Sequence, residues 1–312
     1  MTVFVIAGGL SHERDVSLRS GRRVAHALRD CGLTVREVDV NADLVQELQA
    51  DADPVAVPVL HGGLGEDGAL REVLWTLGVP FVGSDGASSR RTFDKSIATQ
   101  LAAAAGLAVP QHVALPDDIF RELGAQAVMA TIGQRLGFPL MVKPARSGSA
   151  LGAVKVTEPE ELPGALVGAF AYGKMAVIEE FIDGVELAVT VIDGEGGPGA
   201  LPPVEIHPAS GVYDYEARYT AGTTRFVVPP ELPEAELAAA QELAVAAHQT
   251  LGQRDISRTD MIVRDGVPVF LESNVAPGLT ETSLAPLAIA AADLELGQVY
   301  AELIERARRR GH

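Results

Sequence analysis

The chain is short of several things, and each shortage closes off a class of function. A single cysteine, Cys31, in 312 residues excludes an intramolecular disulfide and any Cys-rich metal site, and makes the cytosol the expected compartment. Basic residues are scarce beside acidic ones: 25 Lys and Arg against 42 Asp and Glu leave a net charge of −17, which argues against nucleic acid or an anionic membrane as a partner. An anionic ligand would need a locally basic pocket, so single Lys and Arg residues inside motifs carry more information than usual. No run approaches the ~18–20 apolar residues of a membrane span. The opening stretch Thr2 to Gly9 is apolar, but it lacks a basic leader and meets His12-Glu13-Arg14-Asp15 at once, so it reads as a buried strand and not a signal peptide. Two nucleotide signatures are also missing: G-x-G-x-x-G after the first strand, and a Gly-Lys-Ser/Thr turn opening a helix. There is no internal repeat and no low-complexity segment.

What is present is globular, with 47% hydrophobic and 21% charged residues, and long enough that two or three domains are expected. Residues 1–92 alternate strand (2–7), helix (15–30), strands (33–40, 55–60), helix (67–77) and strand (79–83), the pattern of an α/β doubly wound parallel sheet. A helix spans 87–106. Helices at 117–136 and 159–170 then mix with strands at 138–143, 153–157 and 176–181. A strand at 187–192, a Gly/Pro-rich turn at 194–203, a helix at 233–251, a hairpin and an Ala-rich helical tail from 284 complete the chain.

Three loops suit ligands. Gly8-Gly9 before the first helix reads as a tight turn bringing backbone N–H groups and a helix N-terminus to an anionic group. His61 is followed by Gly62, Gly63, Gly65 and Gly68; a lone His after a strand is often structural, while four glycines suit close approach by a ligand, and both readings stand. Pro144 to Gly152 is small and flexible between two strands, as a lid over phosphates would be, with Lys143 at the end of the strand before it. Tyr213, Tyr215 and Tyr219, beside Glu216 and Arg218, could form hydrogen-bonding pocket walls or a packed loop.

The stretch Arg258 to Ser283 carries the densest chemistry. Met261-Ile262-Val263 and Val267 to Leu271 flank Arg264-Asp265-Gly266 as a β-hairpin. Glu272 and Asn274 share a face, and Asp260 stands across from them. Across a hairpin the position sums of residues that share a face have one parity, odd for a two-residue loop such as Asp-Gly and even for a loop of odd length, and 260 plus 272 is even. For Asp260 and Glu272 to work together the turn is therefore expected to hold an odd number of residues, with Gly266 left-handed beside a bulge. Carboxylates and an amide oxygen without His or Cys suit Mg²⁺, which binds through one or two carboxylates plus substrate phosphates.

Taken together, these motifs resemble the D-alanine–D-alanine ligase family of the ATP-grasp superfamily. The resemblance runs in order through Gly8 to Leu18, Leu60-His61-Gly62 with Gly65 to Gly68, Asp94-Lys95, Lys143-Pro144 with Gly148-Ser149, Tyr213 to Ala217, Arg258-x-Asp260, and Glu272-x-Asn274 with Pro277 to Thr280, which is nearly the whole chain. It implies an ATP-grasp fold: a Rossmann-like substrate domain over 1–92, a central subdomain with the phosphate lid over 93–182, and a subdomain with metal and second-substrate sites over 183–312. It also implies a cytoplasmic, ADP-forming ligase of peptidoglycan synthesis, a homodimer, that joins two D-alanines through D-alanyl phosphate. The alternative is an ATP-grasp ligase of specialised metabolism with another amino-acid pair.

By the same resemblance, Lys95 and Lys143 hold ATP phosphates, Arg218 lies at the nucleotide, Glu179, Glu180, Phe181 and Ile182 cradle adenine, and Glu186 binds ribose. Asp260, Glu272 and Asn274 carry two Mg²⁺ ions, with Mn²⁺ as a substitute. Glu13, held by Ser149 and Tyr219, takes the first ammonium group. Arg258 and the Gly278 N–H stabilise the oxyanion. Ser283 and the Leu284 N–H receive the second carboxylate near His61. Three places depart from the family pattern: Arg218 in place of Lys, Ala150 in place of Ser, and Val275-Ala276 after Asn274.

Overall fold

A computed structural model of the chain describes every residue except Tyr215, Glu216, Tyr219, Ala221 and His312. Its first sheet is built from β1 (Thr2–Ala7), β2 (Val35–Asp39) and β3 (Pro54–Pro58) in the order β2-β1-β3, all parallel. Central β1 is buried along nearly its whole length, as a parallel strand covered on both faces must be. One face is covered by α1 (Arg14–Asp30), which turns Val24, Ala25 and Leu28 inward. The other is covered by α2 (Leu44–Ala50) and α4 (Ala69–Thr76), the latter preceded by the single-turn α3 (Gly63–Glu66). The strand expected at 79–83 is reduced to one parallel bridge between Ala56 and Phe81, and the expected helix 67–77 begins only after left-handed Gly68.

The helix expected over 87–106 is two helices, α5 (Gly86–Phe93) and α6 (Lys95–Ala104). Asp94 turns extended between them and caps the second by accepting from the Ser96 N–H. This break puts Lys95 at the head of a helix, with its N–H donating to the Ala145 carbonyl. Likewise 117–136 divides at left-handed Gly124 into α7 (Asp117–Leu123) and α8 (Ala125–Leu136). With α9 (Leu162–Phe170) they cover a four-stranded antiparallel sheet in the order β4-β7-β5-β6, comprising β4 (His112–Pro116), β5 (Leu140–Pro144), β6 (Val154–Val156) and β7 (Met175–Glu180).

A second antiparallel sheet contains β8 (Val185–Gly194), β9 (Gly197–Ala200), β10 (Val204–Pro208), β11 (Thr224–Val227), β12 (Ile256–Arg264) and β13 (Val267–Asn274), in the order β11-β10-β8-β12-β13 with β9 on β8. Its core faces α10 (Glu234–Thr250) through Leu243, Ala247, Leu251, Leu187, Met261 and Phe270. The helices α11 (Leu284–Ala291) and α12 (Leu296–Arg310) join the core of the first sheet, where Leu303 and Ile304 pack with Val3, Val24 and Val55.

The hairpin delivers the expected face by a different device. Arg264 pairs with Val267, so the turn is the two-residue Asp265-Gly266, left-handed at both positions (φ 51° and 79°). The odd sum this imposes persists through Met261–Phe270. The register then shifts at Leu271, an extra residue on β13, and beyond it Asp260 opposes Glu272 and Arg258 opposes Asn274. The expected three-residue turn is thus corrected to a tight turn plus a bulge. Beside that bulge the Phe270 N–H donates to the Ala108 carbonyl.

Candidate active site

Between the two antiparallel sheets lies a cavity of about 100 Å³ lined by Lys95, Lys143, Glu179, Glu180, Phe181, Ile182, Asp260 and Glu272 among others. Its floor is apolar: Met141, Ile262 and Leu271. Lys143 Nζ is 2.7 Å from Glu179 Oε1, both side chains buried. Among the described residues Glu179 Oε2 has no hydrogen-bond partner, a buried acceptor that the exocyclic amine of a purine would satisfy. The N–H groups of Glu180 and Phe181 already donate to the carbonyls of Gln111 and Pro139, so at these two residues the backbone offers a base its carbonyls and not its N–H groups. Lys155 lies over the Phe181 ring at 3.7 Å.

Cations gather at the bulged end of the hairpin. Arg258 grips Asp260 with two charge-assisted hydrogen bonds of 2.6 and 2.7 Å. Lys95 Nζ donates to the Ser147 carbonyl at 2.7 Å and lies 3.2 Å from Glu272 Oε2. Arg218 stacks on the Tyr213 ring at 4.5 Å and points Nη2 between Glu272 (3.6 Å) and Asp260 (3.9 Å). The guanidinium thus serves two carboxylates where an ammonium would be a single point charge. Burial alone would raise the Glu272 carboxyl, but Lys95, Arg218, Lys143 and Arg258 outweigh it and hold the group at about 2. Glu186, on β8 opposite Ile262, goes the other way: desolvation lifts it to about 7 despite Arg218, with Asp260 and Glu272 adding to the rise. Asn274 Oδ1 accepts from the Ala276 N–H at 2.7 Å.

Asp260, Glu272 and Asn274 offer only oxygen donors, and among the described residues no group of three or more His, Cys, Asp or Glu could hold a metal ion unaided. That donor set fits Mg²⁺, which completes its shell with water and phosphate oxygens.

A larger cavity, about 790 Å³, opens beside the first, with His61, Glu66, Ser149, Arg218, Arg258, Asn274, Gly278, Ser283 and Leu284 on its walls. Glu13 is buried at the head of α1, and its Oε1 accepts from Ser149 Oγ at 3.2 Å. Its carboxylate fits only because two neighbours lack a Cβ: one on Gly62 would come within 2.4 Å of Oε2, and one on Gly148 within 2.8 Å of Oε1. Ser283 caps the N-terminus of α11, Leu284 is its first residue, and Ser283 Oγ accepts from the Thr280 N–H at 3.0 Å. A Cβ on Gly278 would meet Ser283 Oγ at 2.8 Å. His61 is buried, with Nδ1 3.0 Å from the Ala276 carbonyl and Nε2 3.2 Å from Ser20 Oγ.

Most site residues named from sequence therefore line one pair of adjoining cavities, with Glu13 behind Ser149, Glu186 one strand away and Tyr219 outside the described residues. The Gly8-Gly9 turn is a correction. Its N–H groups donate to Ser17 Oγ and to Asp39 Oδ1, both at 2.9 Å, and Arg14 also pairs with Asp39, so the anion held there is the protein's own carboxylate. Sequence reasoning missed Ser20 and Arg23, whose buried stripe on α1 was the available signal. It also gave no role to Glu66, buried in the quoted Gly65 to Gly68 stretch, where Oε1 accepts from the Gly62 N–H at 3.0 Å and burial raises its carboxyl.

Two antiparallel sheets closing on a basic, carboxylate-tipped cleft beneath a parallel sheet make this an ATP-grasp fold. A family model described as D-ala D-ala ligase C-terminus matches residues 101–305. The D-alanine–D-alanine ligase of Pelotomaculum thermopropionicum is 37% identical over 308 residues, covering 98% of this chain and 96% of that protein. The solved D-alanine–D-alanine ligase of Bacillus anthracis complexed with ATP aligns at TM-score 0.82 with 30% identity, covering 99% of this chain and 98% of that one. The VanG D-Ala:D-Ser ligase of Enterococcus faecalis aligns at 0.85 with 28% identity, covering 98% and 99%. The chain belongs to the D-alanine–D-alanine ligase family.

Proposed function

We propose that the chain is an ATP-dependent ligase that joins two D-alanine molecules into D-alanyl-D-alanine for peptidoglycan synthesis. The observation that carries this reading is the meeting, at one bulged hairpin end, of Lys95, Arg218 and Arg258 with Asp260 and Glu272, between the cavity walled by Glu179 to Ile182 on one side and the larger cavity of Ser149 and Ser283 on the other. ATP lies with its base against Glu179 to Ile182, its ribose toward Glu186 and its phosphates among Lys95, Lys143 and Arg218. Two Mg²⁺ ions, or Mn²⁺ in their place, are held by Asp260, Glu272 and Asn274 and neutralise phosphate charge when bound.

The first D-alanine sets its ammonium on Glu13, which Ser149 holds. A carboxylate oxygen takes the γ-phosphoryl group, and ADP leaves. The amine of the second D-alanine, its carboxylate on Ser283 and the Leu284 N–H, attacks the acyl carbon of D-alanyl phosphate. Arg258 and the Gly278 N–H face the resulting oxyanion, and phosphate leaves with the former carboxylate oxygen. Positioning of the two amino acids supplies most of the rate, since no side chain forms a covalent bond to substrate.

The division at residues 92 and 182, the cytoplasmic site and a homodimer belong to the same reading, and exposed Leu64, Val73 and Trp75 offer apolar surface for a partner copy. Phosphate release with ATP, Mg²⁺ and single amino acids in turn tests it. Release is expected with D-alanine and absent with L-alanine; release only with a different amino acid would replace the proposed substrate.

A further inference from the structure

Four residues of α1 at helical spacing, Val16, Arg19, Ser20 and Arg23, share the face turned to the larger cavity. Val16 and Arg19 line it directly. Ser20 is fully buried behind them, and Arg23 reaches further, its Nη1 donating to the carbonyls of Thr280 (2.8 Å) and Leu279 (3.3 Å). Ser20 Oγ accepts from the Leu279 N–H at 3.2 Å. One helix face therefore holds both the N–H and the C=O of the loop between Gly278 and Ser283.

His61 belongs to the same clamp, and its partners fix its tautomer. The Ala276 carbonyl can only accept, so Nδ1 carries the proton; in the neutral ring Nε2 is then an acceptor, and the Ser20 hydroxyl, which accepts from the Leu279 N–H, donates its hydrogen there. The chain runs Leu279 N–H to Ser20 Oγ–H to His61 Nε2, then Nδ1–H to the Ala276 carbonyl. Both ring nitrogens are used by the protein, which leaves none for a proton from the incoming amine.

We propose that Ser20 and Arg23 are positioning residues for the second amino acid, acting through residues 276–283, and that His61 links the two sides of this clamp and is not the proton acceptor. The proposal rests on the ligase reading, because the loop it holds carries Gly278 at one end and Ser283 at the other. The clamp's hydrogen bonds run to Ala276, Leu279 and Thr280 and not to Glu13 or the nucleotide slot, so its loosening should separate the two amino-acid sites.

The test is steady-state kinetics at saturating ATP and Mg²⁺ that resolves KM for the first and the second D-alanine. In Ser20→Ala and Arg23→Met the second KM should rise roughly tenfold per lost hydrogen-bonding group while the first stays within about twofold. Ser20→Thr and Arg23→Lys, which keep a donor, should recover most of the loss. Equal rises in both constants, no rise in either, or no recovery in the conservative variants would overturn the assignment. Should Ser20→Ala fail to fold, half-buried Arg23 carries the kinetic test alone. Nitrogen NMR of the His61 ring in unliganded protein near neutral pH gives a readout independent of turnover: an Nδ1–H tautomer is expected, and an Nε2–H tautomer or an imidazolium would overturn the clamp. Wild type that keeps the expected tautomer but makes no dipeptide would instead defeat the ligase reading.

Discussion

His61 and Glu186 are pushed by burial in opposite senses along the pH axis. Desolvation lowers the His61 imidazole to about 4 against 6.5 for a free one, with the Ala276 carbonyl and Glu13 opposing the shift and Arg258 adding to it. The unfolded chain takes up a proton below 6.5 that the folded one refuses until about 4, so His61 weakens folding as pH falls through that window, by up to about 3 kcal/mol. Glu186 keeps its proton in the fold up to about 7 while the unfolded carboxyl loses it near 4.5, so it weakens folding as pH rises. The two trends oppose each other between 4.5 and 6.5, and only differences between variants expose them. In melts from pH 4 to 7.5, the stability of wild type relative to His61→Gln should grow with pH, and that relative to Glu186→Gln should shrink. Parallel profiles for all three proteins would contradict both assignments. Glu272 tells a related story: Glu272→Gln should cut turnover by at least about 100-fold. The same change leaves Lys95 and Arg218 without their carboxylate, so a loss of about 1–3 kcal/mol should accompany it. Activity near wild type in a folded variant would remove Glu272 from the site.

At the scale of elements, the hairpin shows what the sequence could and could not say. Parity required Asp260 and Glu272 to share a face if they act together, and they do. The device could not be read, because a bulge at Leu271 leaves no mark in composition; it changes only which neighbour each backbone group meets. Helix breaks were legible in part: Asp94 and Gly124 are cap and breaker residues, yet the helical pattern ran across both. Strands β4, β10 and β11 escaped notice because each is only four or five residues long and broken by Pro, His or Arg. The Gly and Ser content of the loop over 145–152 leads to the expectation of a lid. In the fold it carries left-handed Ser149 and Ala150 and leans on Glu13 and Lys95. Its amide exchange should slow when ATP and Mg²⁺ are added; equal exchange with and without nucleotide would argue against a lid.

Across the whole molecule, the groups of the candidate site come from all three sheets, and the joints between them are polar. Asp255, fully buried at the start of β12, accepts from the Gly83 N–H at 2.7 Å and pairs with Arg310 at the end of α12 at 2.9 and 3.0 Å. The Ser20, His61 and Arg23 contacts form a second joint between the first sheet and the hairpin loop. The class of chemistry was readable because its motifs stand in order along the chain. The joints were not, since they depend on bonds between residues more than 150 positions apart, such as Gly83 with Asp255 and Arg23 with Thr280. A partner copy would cover Trp75, now 60% exposed, so sedimentation should give about twice the 32.7 kDa chain mass, and Trp75→Glu should lower it; a wild-type monomer would remove the dimer from the account. The central claim, ligation through D-alanyl phosphate, is tested most directly by running the reaction with ATP, Mg²⁺ and D-alanine labelled with heavy oxygen in its carboxylate. The account predicts D-alanyl-D-alanine, ADP and phosphate in equal amounts, with one heavy oxygen carried from the first D-alanine into each phosphate. Dipeptide formed with unlabelled phosphate, or ATP cleaved with no dipeptide, would contradict it.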